Sequence, residues 1–518
     1  MEQNNLPTLV FTADEVKQIE RDYARVHNGH CFDLMQKAGA AVFETILKEC
    51  NPLREVWIFC GKGNNGGDGY IVAKLLLEHA IPHRVFATGV PHEGSEASVA
   101  YEMYAKFGGS IEYELPNSGQ FTNENSVISF SKPDVVVDAL LGTGIERAPE
   151  GIIAKWIKYI NLLKAYKVSV DIPSGVDADT GCVPGVCVKA DKTVCMLALK
   201  PGLFTGAAVD FVGNIEFASL GVDISNYENI LNFNNPRYLL PIVKLSYEDI
   251  KEELPSRYKS FNKSDSGKVL IIAGRKGMGG AAIICGTSAL RSGSGLVKLA
   301  TDNFNVSAML SVCPELMSLD LEDLDAVSKA VAWSDVIAIG PGLGVNEKTA
   351  SLMALLDDDD NDRAFVYDAD ALNVLAKYEQ NYYKENRIIT PHPGEAARLL
   401  GISIEEVNQD RLLSCYKLWQ KYGGVVLLKG AGTVICDGQR LTIINEVAPA
   451  LATGGSGDFL TGMIVSFLAQ GLDLDMAAIA AACVHARAGK ICGSKEGVLG
   501  CLPLDLCNYV RDLINAKC

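Results

Sequence analysis

The sequence contains 518 residues, of which 48% are hydrophobic and 21% are charged, and its formal net charge at pH 7 is −16. A chain of this length exceeds what one hydrophobic core supports, so we expect two or three domains. The acidic balance disfavours binding to a nucleic-acid backbone, which requires clustered lysine and arginine. Any phosphate group would have to be bound locally, by backbone amides and one or two lysines.

Cysteine usage and the N-terminal residues favour a cytoplasmic location. The 15 cysteines are odd in number and scattered, without a CxxC pair, so we expect reduced thiols rather than a disulfide scaffold or a zinc site. The first residues lack the basic and apolar regions of a signal peptide, and no apolar run reaches membrane-spanning length. We therefore expect no membrane contact.

The first glycine-rich loop follows two predicted packing helices and a short buried strand at residues 56–60. A strand, a glycine turn (61–69) and a helix in this order are typical of the phosphate-facing edge of a parallel α/β sheet. The glycines fit GxGxxG, but the next strand lacks the acidic residue that would hold a ribose, so the dinucleotide fingerprint is weak. Asn64, Asn65 and Asp68 indicate oxygen ligands for a cation. The alternative is a polar loop that satisfies its own backbone.

Two further strands end in acidic residues. Asp138 ends one strand and is followed by a glycine loop at 142–144, and Asp171 ends the next and is followed by Ser174. Ligands bind beyond the carboxyl ends of the strands in an open parallel sheet. We therefore expect these loops to converge with Asn65.

The motifs GxGNNGGDG, DALLGTG and VDIPSGVDADTG resemble the N-terminal domain of the YjeF family, the NAD(P)H-hydrate epimerases, over about residues 8–225. The resemblance implies that Asp171 is catalytic and that a potassium ion is held by Asn65, Asp138 and Ser174. It also implies hydrate contacts at Asn64, Asn65, Gly66, Gly67, Asp68, Gly142, Thr143, Gly144, Ile145, Glu146, Arg147, Ala148 and Asp171.

In the middle of the chain, the alternation of apolar strands and glycine-rich loops stops. Residues 226–235 are rich in asparagine, and several prolines follow. Such composition is typical of a linker. We predict a first domain at 1–225, a linker at 226–244 and a second domain at 245–518.

The second half again alternates strands with helices, which predicts a second parallel α/β domain. Lys429 and Thr433 follow a strand and are candidate phosphate contacts. His392 lies between two prolines and is placed to contact a ligand, or is a loop histidine bonded to backbone. Asp368 and Asp370 are candidates either to position a metal or to cap the following helix, and capping and packing are favoured. His485 is expected to be a satisfied interior residue.

Residues 452–462 form a glycine-rich turn that opens an apolar helix and carries Asp458. Such a turn directs free N–H groups and the positive end of the helix dipole at one point, which suits a phosphate. No Walker A motif is present. The pattern resembles ribokinase-like kinases, in which an aspartate at a helix N-terminus deprotonates a substrate hydroxyl. The alternative is an ordinary first-turn acidic residue.

Five motifs in order, GPGLG, DADALN, TPHPGE, LLKGAGT and ATGGSGDFLTG, resemble the ADP/ATP-dependent NAD(P)H-hydrate dehydratases over about residues 245–515. The resemblance implies hydrate contacts at Ala281, Gly342, His392 and Asp458. It implies ADP or AMP contacts at Lys429, Gly430, Ala431, Gly432, Thr433 and Gly457. Magnesium is expected with the nucleotide.

Together the two resemblances predict an enzyme that repairs hydrated NADH and NADPH. The first domain would interconvert the R and S hydrates, and the second would dehydrate the S hydrate at the expense of ADP, giving AMP and phosphate. ADP rather than ATP follows from resemblance to bacterial two-domain members. We expect a homo-oligomer with small-molecule substrates only.

Two other functions stay open at this point. One is a ribokinase-like vitamin or sugar kinase fused to a nucleotide-binding module, with Asp458 as the same base. The other is a binding module like those in RNA-decapping scaffolds. The retained Asn64, Asp68, Asp138 and Asp171, and the negative charge, disfavour the second.

Overall fold

A computed structural model describes residues 6–116, 133–144, 147–227, 237–357, 363–378 and 383–516. The chain divides into two compact units, Met1–Leu239 and Leu240–Cys518. Within the predicted linker, residues 228–236 lie outside the described part of the chain. Among the described residues, no helix combines the length and the apolar character needed to cross a membrane.

The first unit contains a seven-stranded sheet in the order β4-β3-β2-β5-β6-β7-β8, with every neighbouring pair parallel. The strands of this unit are β1 (Leu9–Val10), β2 (Val56–Cys60), β3 (His83–Ala87), β4 (Ile111–Glu112), β5 (Val135–Ala139), β6 (Tyr166–Val170), β7 (Lys192–Met196) and β8 (Asn214–Ala218).

Helices cover both faces of this sheet. They are α1 (Ala13–Val26), α2 (Phe32–Glu49), α3 (Asn64–Glu78), α4 (Glu96–Lys106) and α5 (Gly151–Leu162). Successive residues of β2 point to opposite faces. Ile58 packs in the core that α2, α3 and α4 cover, whereas Phe59 packs with Trp156 of α5. All five β2 residues are therefore buried, as the continuous apolar run indicates.

The second unit has a mixed sheet in the order β9-β18-β17-β16-β15-β14-β13-β10-β11-β12. Its strands are β9 (Ile242–Leu245), β10 (Lys268–Ile272), β11 (Leu296–Thr301), β12 (Met317–Asp320), β13 (Val336–Ile339), β14 (Ala364–Tyr367), β15 (Arg387–Ile389), β16 (Val425–Leu428), β17 (Val434–Cys436) and β18 (Leu441–Ile444).

The second α/β domain is confirmed, and within its sheet the predicted parallel arrangement does not hold for β17. This strand runs antiparallel to both β16 and β18. Residues 429–433 and 437–440 are the only connections to these neighbours, and such short loops join antiparallel strands, whereas a parallel crossover needs a dozen residues or more. The strands from β10 to β16 do pair in parallel.

The helices of the second unit are α6 (Tyr247–Ile250), α7 (Gly279–Arg291), α8 (Val306–Val312), α9 (Leu324–Trp333), α10 (Glu347–Asp357), α11 (Asp370–Lys377), α12 (Pro393–Leu400), α13 (Ile404–Gln409), α14 (Arg411–Tyr422), α15 (Ser456–Ala469), α16 (Leu474–Glu496) and α17 (Leu506–Ile514). Helix α15 is almost wholly buried and packs closely on α7. A Cβ on Gly462 would lie 2.2 Å from the carbonyl oxygen of Cys285, so this close packing requires glycine. Ser288 Oγ donates a 2.6 Å hydrogen bond to the carbonyl of Phe459, which fixes the first turn of α15.

Candidate active sites

The first unit has a cavity of about 910 Å³ at the carboxyl ends of its central strands. Its wall includes Asn65 after β2, Gly142 after β5, Asp171 after β6 and Leu197 after β7. The convergence follows from the parallel sheet, which brings the loops after neighbouring strands to one edge.

Most of the predicted epimerase contacts line this cavity. The members of the predicted set in its wall are Asn64, Asn65, Asp68, Gly142, Thr143, Gly144 and Asp171. Gly66 and Gly67 lie behind them in α3, where a Cβ would meet Gly61 and Met35 respectively. Arg147 and Ala148 do not line the cavity, and Ile145 and Glu146 lie outside the described residues.

The three predicted potassium ligands gather around the backbone of Leu141. The Asn65 amide donates a 2.8 Å hydrogen bond to the Leu141 carbonyl, and Ser174 Oγ accepts a 2.9 Å hydrogen bond from the Leu141 N–H. Asp138 is fully buried and accepts hydrogen bonds from Ser174 Oγ at 2.6 Å, the Ser174 N–H at 2.8 Å and Ser169 Oγ at 2.9 Å. Burial raises the pKa of Asp138, and these hydrogen bonds act against that rise.

Asp171 is paired with a lysine that the sequence reasoning missed. Lys200 is 1% exposed, and its ammonium group donates to Asp171 Oδ1 and, at 2.9 Å, to the carbonyl of Met196. The Met196 N–H donates to the same Asp171 oxygen at 3.0 Å. Asp171 itself has φ = 65°, and its own N–H donates to Val194 at 2.8 Å. Its carboxylate is therefore fixed by its backbone and by β7.

Three further carboxyl groups, of Glu20, Asp68 and Glu96, line the same cavity. Burial raises the pKa of Asp68 well above its usual range, and the charge of Asp171 raises it further. No motif identifies Glu20, because it reaches the cavity from α1, far from the glycine loops in sequence.

In the second unit, Asp458 lies in the first turn of α15. Gly455 precedes this helix with φ = 86°, in the left-handed region that favours glycine. Burial raises the pKa of Asp458 to about 6, with a further rise from the Asp368 charge, and the Lys429 charge opposes both. An aspartate with such a pKa can accept a proton near neutral pH.

Lys429 lies close to several of the predicted site residues of this unit. Its Nζ donates a 2.7 Å hydrogen bond to Asp368 Oδ1, and the position of a Cβ on Gly457 would lie 3.3 Å from the same nitrogen. Thr461 Oγ1 donates to the other Asp368 oxygen at 2.7 Å. Burial acts to lower the pKa of Lys429, but Asp368 and Glu395 raise it above its ordinary value. Asp368, expected to cap and pack, instead holds the lysine beside the α15 N-terminus.

His392 has features of both roles considered for it: it is bonded to the backbone, and part of its side chain is free to contact a ligand. Its Nδ1 accepts a 3.0 Å hydrogen bond from the Gly394 N–H and caps α12, while half of its side chain remains exposed. Burial and Lys429 lower its pKa. Glu395 Oε2 accepts the His392 N–H at 2.7 Å and lies 3.9 Å from Lys429 Nζ, and burial raises the pKa of Glu395 to about 7.

The remaining predicted contacts lie on two loops and on α7. The position of a Cβ on Gly342 would be 3.4 Å from Ala281 Cβ, so these two residues are neighbours. Thr433 Oγ1 donates to the Gly430 carbonyl at 3.1 Å, within the loop that also holds Ala431 and Gly432. Their contacts with ligands stay predictions.

His485 is an interior residue, as expected from its alanine-rich helix. It is 6% exposed, lies 3.4 Å from Ser456 Oγ and stacks on Phe459. Burial lowers its pKa to about 4.

Two protein families match this chain. The family described as YjeF-related protein N-terminus matches residues 31–202, and the family described as NAD(P)H-hydrate dehydratase matches residues 269–512. The bifunctional NAD(P)H-hydrate repair enzyme Nnr of Escherichia coli (strain K12) is 38% identical over 517 residues, covering 99% of this chain and 95% of that protein. The chain belongs to the bifunctional NAD(P)H-hydrate repair enzymes.

Solved structures resemble about half of this chain. A ribokinase-like superfamily protein from Enterococcus faecalis V583 is 29% identical, with a TM-score of 0.50, covering 53% of this chain and 96% of that chain. The ADP/ATP-dependent NAD(P)H-hydrate dehydratase from Bacillus subtilis, co-crystallised with ATP and Mg²⁺, is 29% identical, with a TM-score of 0.47, covering 52% of this chain and 96% of that chain. The resemblance of both halves to repair-enzyme families is confirmed, as are the two α/β folds.

Proposed function

We propose that this chain restores NADH and NADPH from their hydrates in two steps. The first unit interconverts the R and S hydrates, and the second converts the S hydrate to the reduced nicotinamide at the expense of ADP, giving AMP and phosphate. The observation that carries this proposal is the 38% identity to a bifunctional repair enzyme along nearly the full length of both chains. It is supported by a catalytic carboxylate candidate at the expected place in each unit.

The dehydratase step is proposed to begin at Asp458. Its carboxylate accepts the proton of the substrate hydroxyl, and the resulting oxygen takes the terminal phosphoryl group of ADP while AMP leaves. Elimination of phosphate and loss of a proton from the neighbouring carbon then restore the ring double bond. Lys429 and the N–H groups at the start of α15 are suited to stabilise the phosphoryl group during transfer.

Potassium is proposed to bind at Asn65, Asp138 and Ser174. These residues offer an amide oxygen, a carboxylate and a hydroxyl within one hydrogen-bonded cluster, and oxygen donors suit a hard cation. Asn65 Oδ1 has no partner among the described residues. The ion would fix the loop around Leu141 against the substrate.

Magnesium is proposed to accompany the nucleotide in the second unit. Glu395, a buried carboxyl group of this site, would hold it, and the charge of the cation would offset the burial that raises the pKa of this group. The ion would supply charge neutralisation at the phosphates. The choice of ADP over ATP is part of the proposal.

A cytoplasmic location and a homo-oligomeric state are also proposed. The described residues contain 14 free cysteines, consistent with a reducing compartment. Light scattering of the purified chain tests the oligomeric state.

The test of the function uses a mixture of R and S hydrates with ADP, and then with ATP, followed by the return of reduced-nicotinamide absorbance. The wild type should recover the whole mixture. Asp458→Asn should abolish recovery of both forms, and Asp171→Ala should leave recovery of the S form intact. A stable phosphorylated product in place of NADH would favour a kinase and overturn the proposal.

A further inference from the structure

We propose that Lys200 is a positioning residue of the epimerase site: it holds one oxygen of Asp171 so that the other oxygen is presented to the substrate ring. This inference rests on the proposed epimerase function of the first unit and names how its carboxylate is prepared for the reaction.

The two carboxylate oxygens of Asp171 have different surroundings. Oδ1 accepts from the Lys200 ammonium group and from the Met196 N–H at 3.0 Å. Oδ2 has no partner among the described residues, and Asp171 lines the cavity. A carboxylate anchored through one oxygen has lost its rotational freedom, while the other oxygen keeps its full capacity to accept a hydrogen bond or a charge.

Lys200 is itself held in place by the chain. Its ammonium group donates to the Met196 carbonyl at 2.9 Å and lies 3.8 Å from Cys195 Sγ, and the side chain is 1% exposed. Lys200 belongs to the cavity wall, but its ammonium group is engaged by Asp171 Oδ1 and by the Met196 carbonyl, so we infer that it acts on the substrate through Asp171. Burial acts to lower the pKa of Lys200, but the Asp171 charge raises it above its ordinary value, so the lysine is charged.

The charge of Lys200 is needed because acidic groups surround Asp171. Glu20 from α1 and Asp68 from α3 interact with it, and Glu96 interacts with both of those carboxyl groups. The Cys195 thiol of β7 also lies near the ion pair, and burial raises its pKa to about 12, so it stays neutral. Without the ammonium group, Asp171 would lie among these carboxyl groups with no cation of the described part of the chain in hydrogen-bond contact, and Lys17 and Lys62 would be the lysines left in the cavity wall.

The chemistry of epimerisation explains why an ionised Asp171 matters. The carbon that carries the hydroxyl group is bonded to the ring nitrogen. When the hydroxyl oxygen gains a proton and leaves as water, the nitrogen lone pair forms a C=N bond and the ring becomes cationic. Water then adds to the opposite face and releases a proton, so protons and electrons balance. A fixed carboxylate oxygen stabilises the cationic ring more than the neutral hydrate, which is the condition for catalysis.

The chain contains a matched control in Lys192. It is also buried at 7% exposure and lies on β7, where it pairs with Glu49 and with Glu216 at 3.0 Å. Lys192 begins β7, at the end of the strand away from the cavity, and does not line it. Removing its charge disturbs a buried ion-pair network of the same unit without touching Asp171.

The experiment measures the interconversion of purified R and S hydrates by chromatography, in the full-length chain, without ADP so that dehydration does not interfere. Lys200→Met should lower kcat by about 100-fold, the scale expected for a misplaced catalytic group, with little change in KM. It should also move the acid limb of the pH–rate profile to higher pH, while Lys200→Arg restores the wild-type limb. Lys192→Met should leave kcat and the pH profile at wild-type values.

A double-mutant comparison separates positioning from a structural role. Adding Lys200→Met to Asp171→Asn should cause no further loss of kcat, because the lysine acts only through the carboxylate. The double variant leaves neither charge buried alone. It can therefore be compared with Asp171→Asn even if Lys200→Met alone does not fold. Additive losses, or a Lys200→Met enzyme with wild-type kcat and pH profile, would overturn the inference. A wild type that fails to interconvert the hydrates would instead refute the proposed function.

Discussion

Replacing Lys429 by methionine should destabilise the second unit and should also abolish its dehydratase activity. The stability depends on the contact of Lys429 with Asp368, and the activity depends on its charge beside the start of α15. The Lys429 Nζ lies 2.7 Å from an oxygen of Asp368, which is 1% exposed. At an effective dielectric constant of about 20, the attraction over this distance is about 6 kcal/mol, and removing one partner of a buried pair typically costs about 3–5 kcal/mol. The Lys429→Met variant should lose free energy of unfolding of that order.

The loss of stability in Lys429→Met should depend on pH, because Asp368 can be protonated. Burial favours the protonated form of Asp368, but Lys429 and Thr461 together hold its pKa below the ordinary value. A lowered pKa stabilises the fold above the unfolded pKa of about 3.9, and this contribution is lost as the pH falls through the folded value. In Lys429→Met, burial without the lysine favours protonated Asp368, so the variant regains stability as the pH falls, and the difference from wild type should be larger at pH 7 than at pH 4.

The assay is hydrogen–deuterium exchange in urea, read on peptides from β14, because a two-unit chain need not unfold in one transition. The double variant Asp368→Asn with Lys429→Met is the control. It should recover part of the stability, since no charge is left buried alone, but none of the dehydratase activity. Equal unfolding of Lys429→Met and wild type at pH 7 would refute the ion-pair account.

Three further outcomes are expected. The kcat/KM of dehydration should fall as the pH drops below about 6, because Asp458 must be ionised to act as the base; a flat profile down to pH 5 contradicts this role. Gly462→Ala should cost about 1–3 kcal/mol by overpacking against the Cys285 carbonyl. Gly493→Ala, whose Cβ would have Ala450 Cβ at 3.2 Å as its nearest neighbour, should unfold near wild type in the same urea titration. Replacing potassium by choline should slow epimerisation and leave dehydration unchanged, and Ser174→Ala should raise the potassium concentration needed; identical rates in both salts would remove the ion from the account.

Much of both sites could be predicted from sequence because the parallel-sheet rule is local. Asn65 and Ser174 follow strands and Asp138 lies near the end of one, each strand is readable from its apolar run, and neighbouring strands bring their ends together. The same reasoning placed Asp458 at the start of a buried helix, where the structure has it. A strand, a glycine turn and a carboxylate are all visible within about ten residues.

The residues that the sequence did not reveal depend on contacts between distant segments. Lys200 meets Asp171 only because β6 and β7 are neighbours in the sheet. Asp368 meets Lys429 across β14, β15 and β16, so its role could not be read from its own strand end. The strand β17 is short and apolar like its neighbours, and its direction is set by loop length rather than by its residues.

Purified R hydrate tests the two-step account most directly, when supplied with ADP to the wild type and to Asp458→Asn. The wild type should convert it completely to reduced nicotinamide, with one AMP formed for each molecule restored. Asp458→Asn should turn the R hydrate into a mixture of R and S and produce no reduced nicotinamide. Recovery of NADH by the Asp458→Asn chain at the wild-type rate would contradict the assignment of the base and the account built on it.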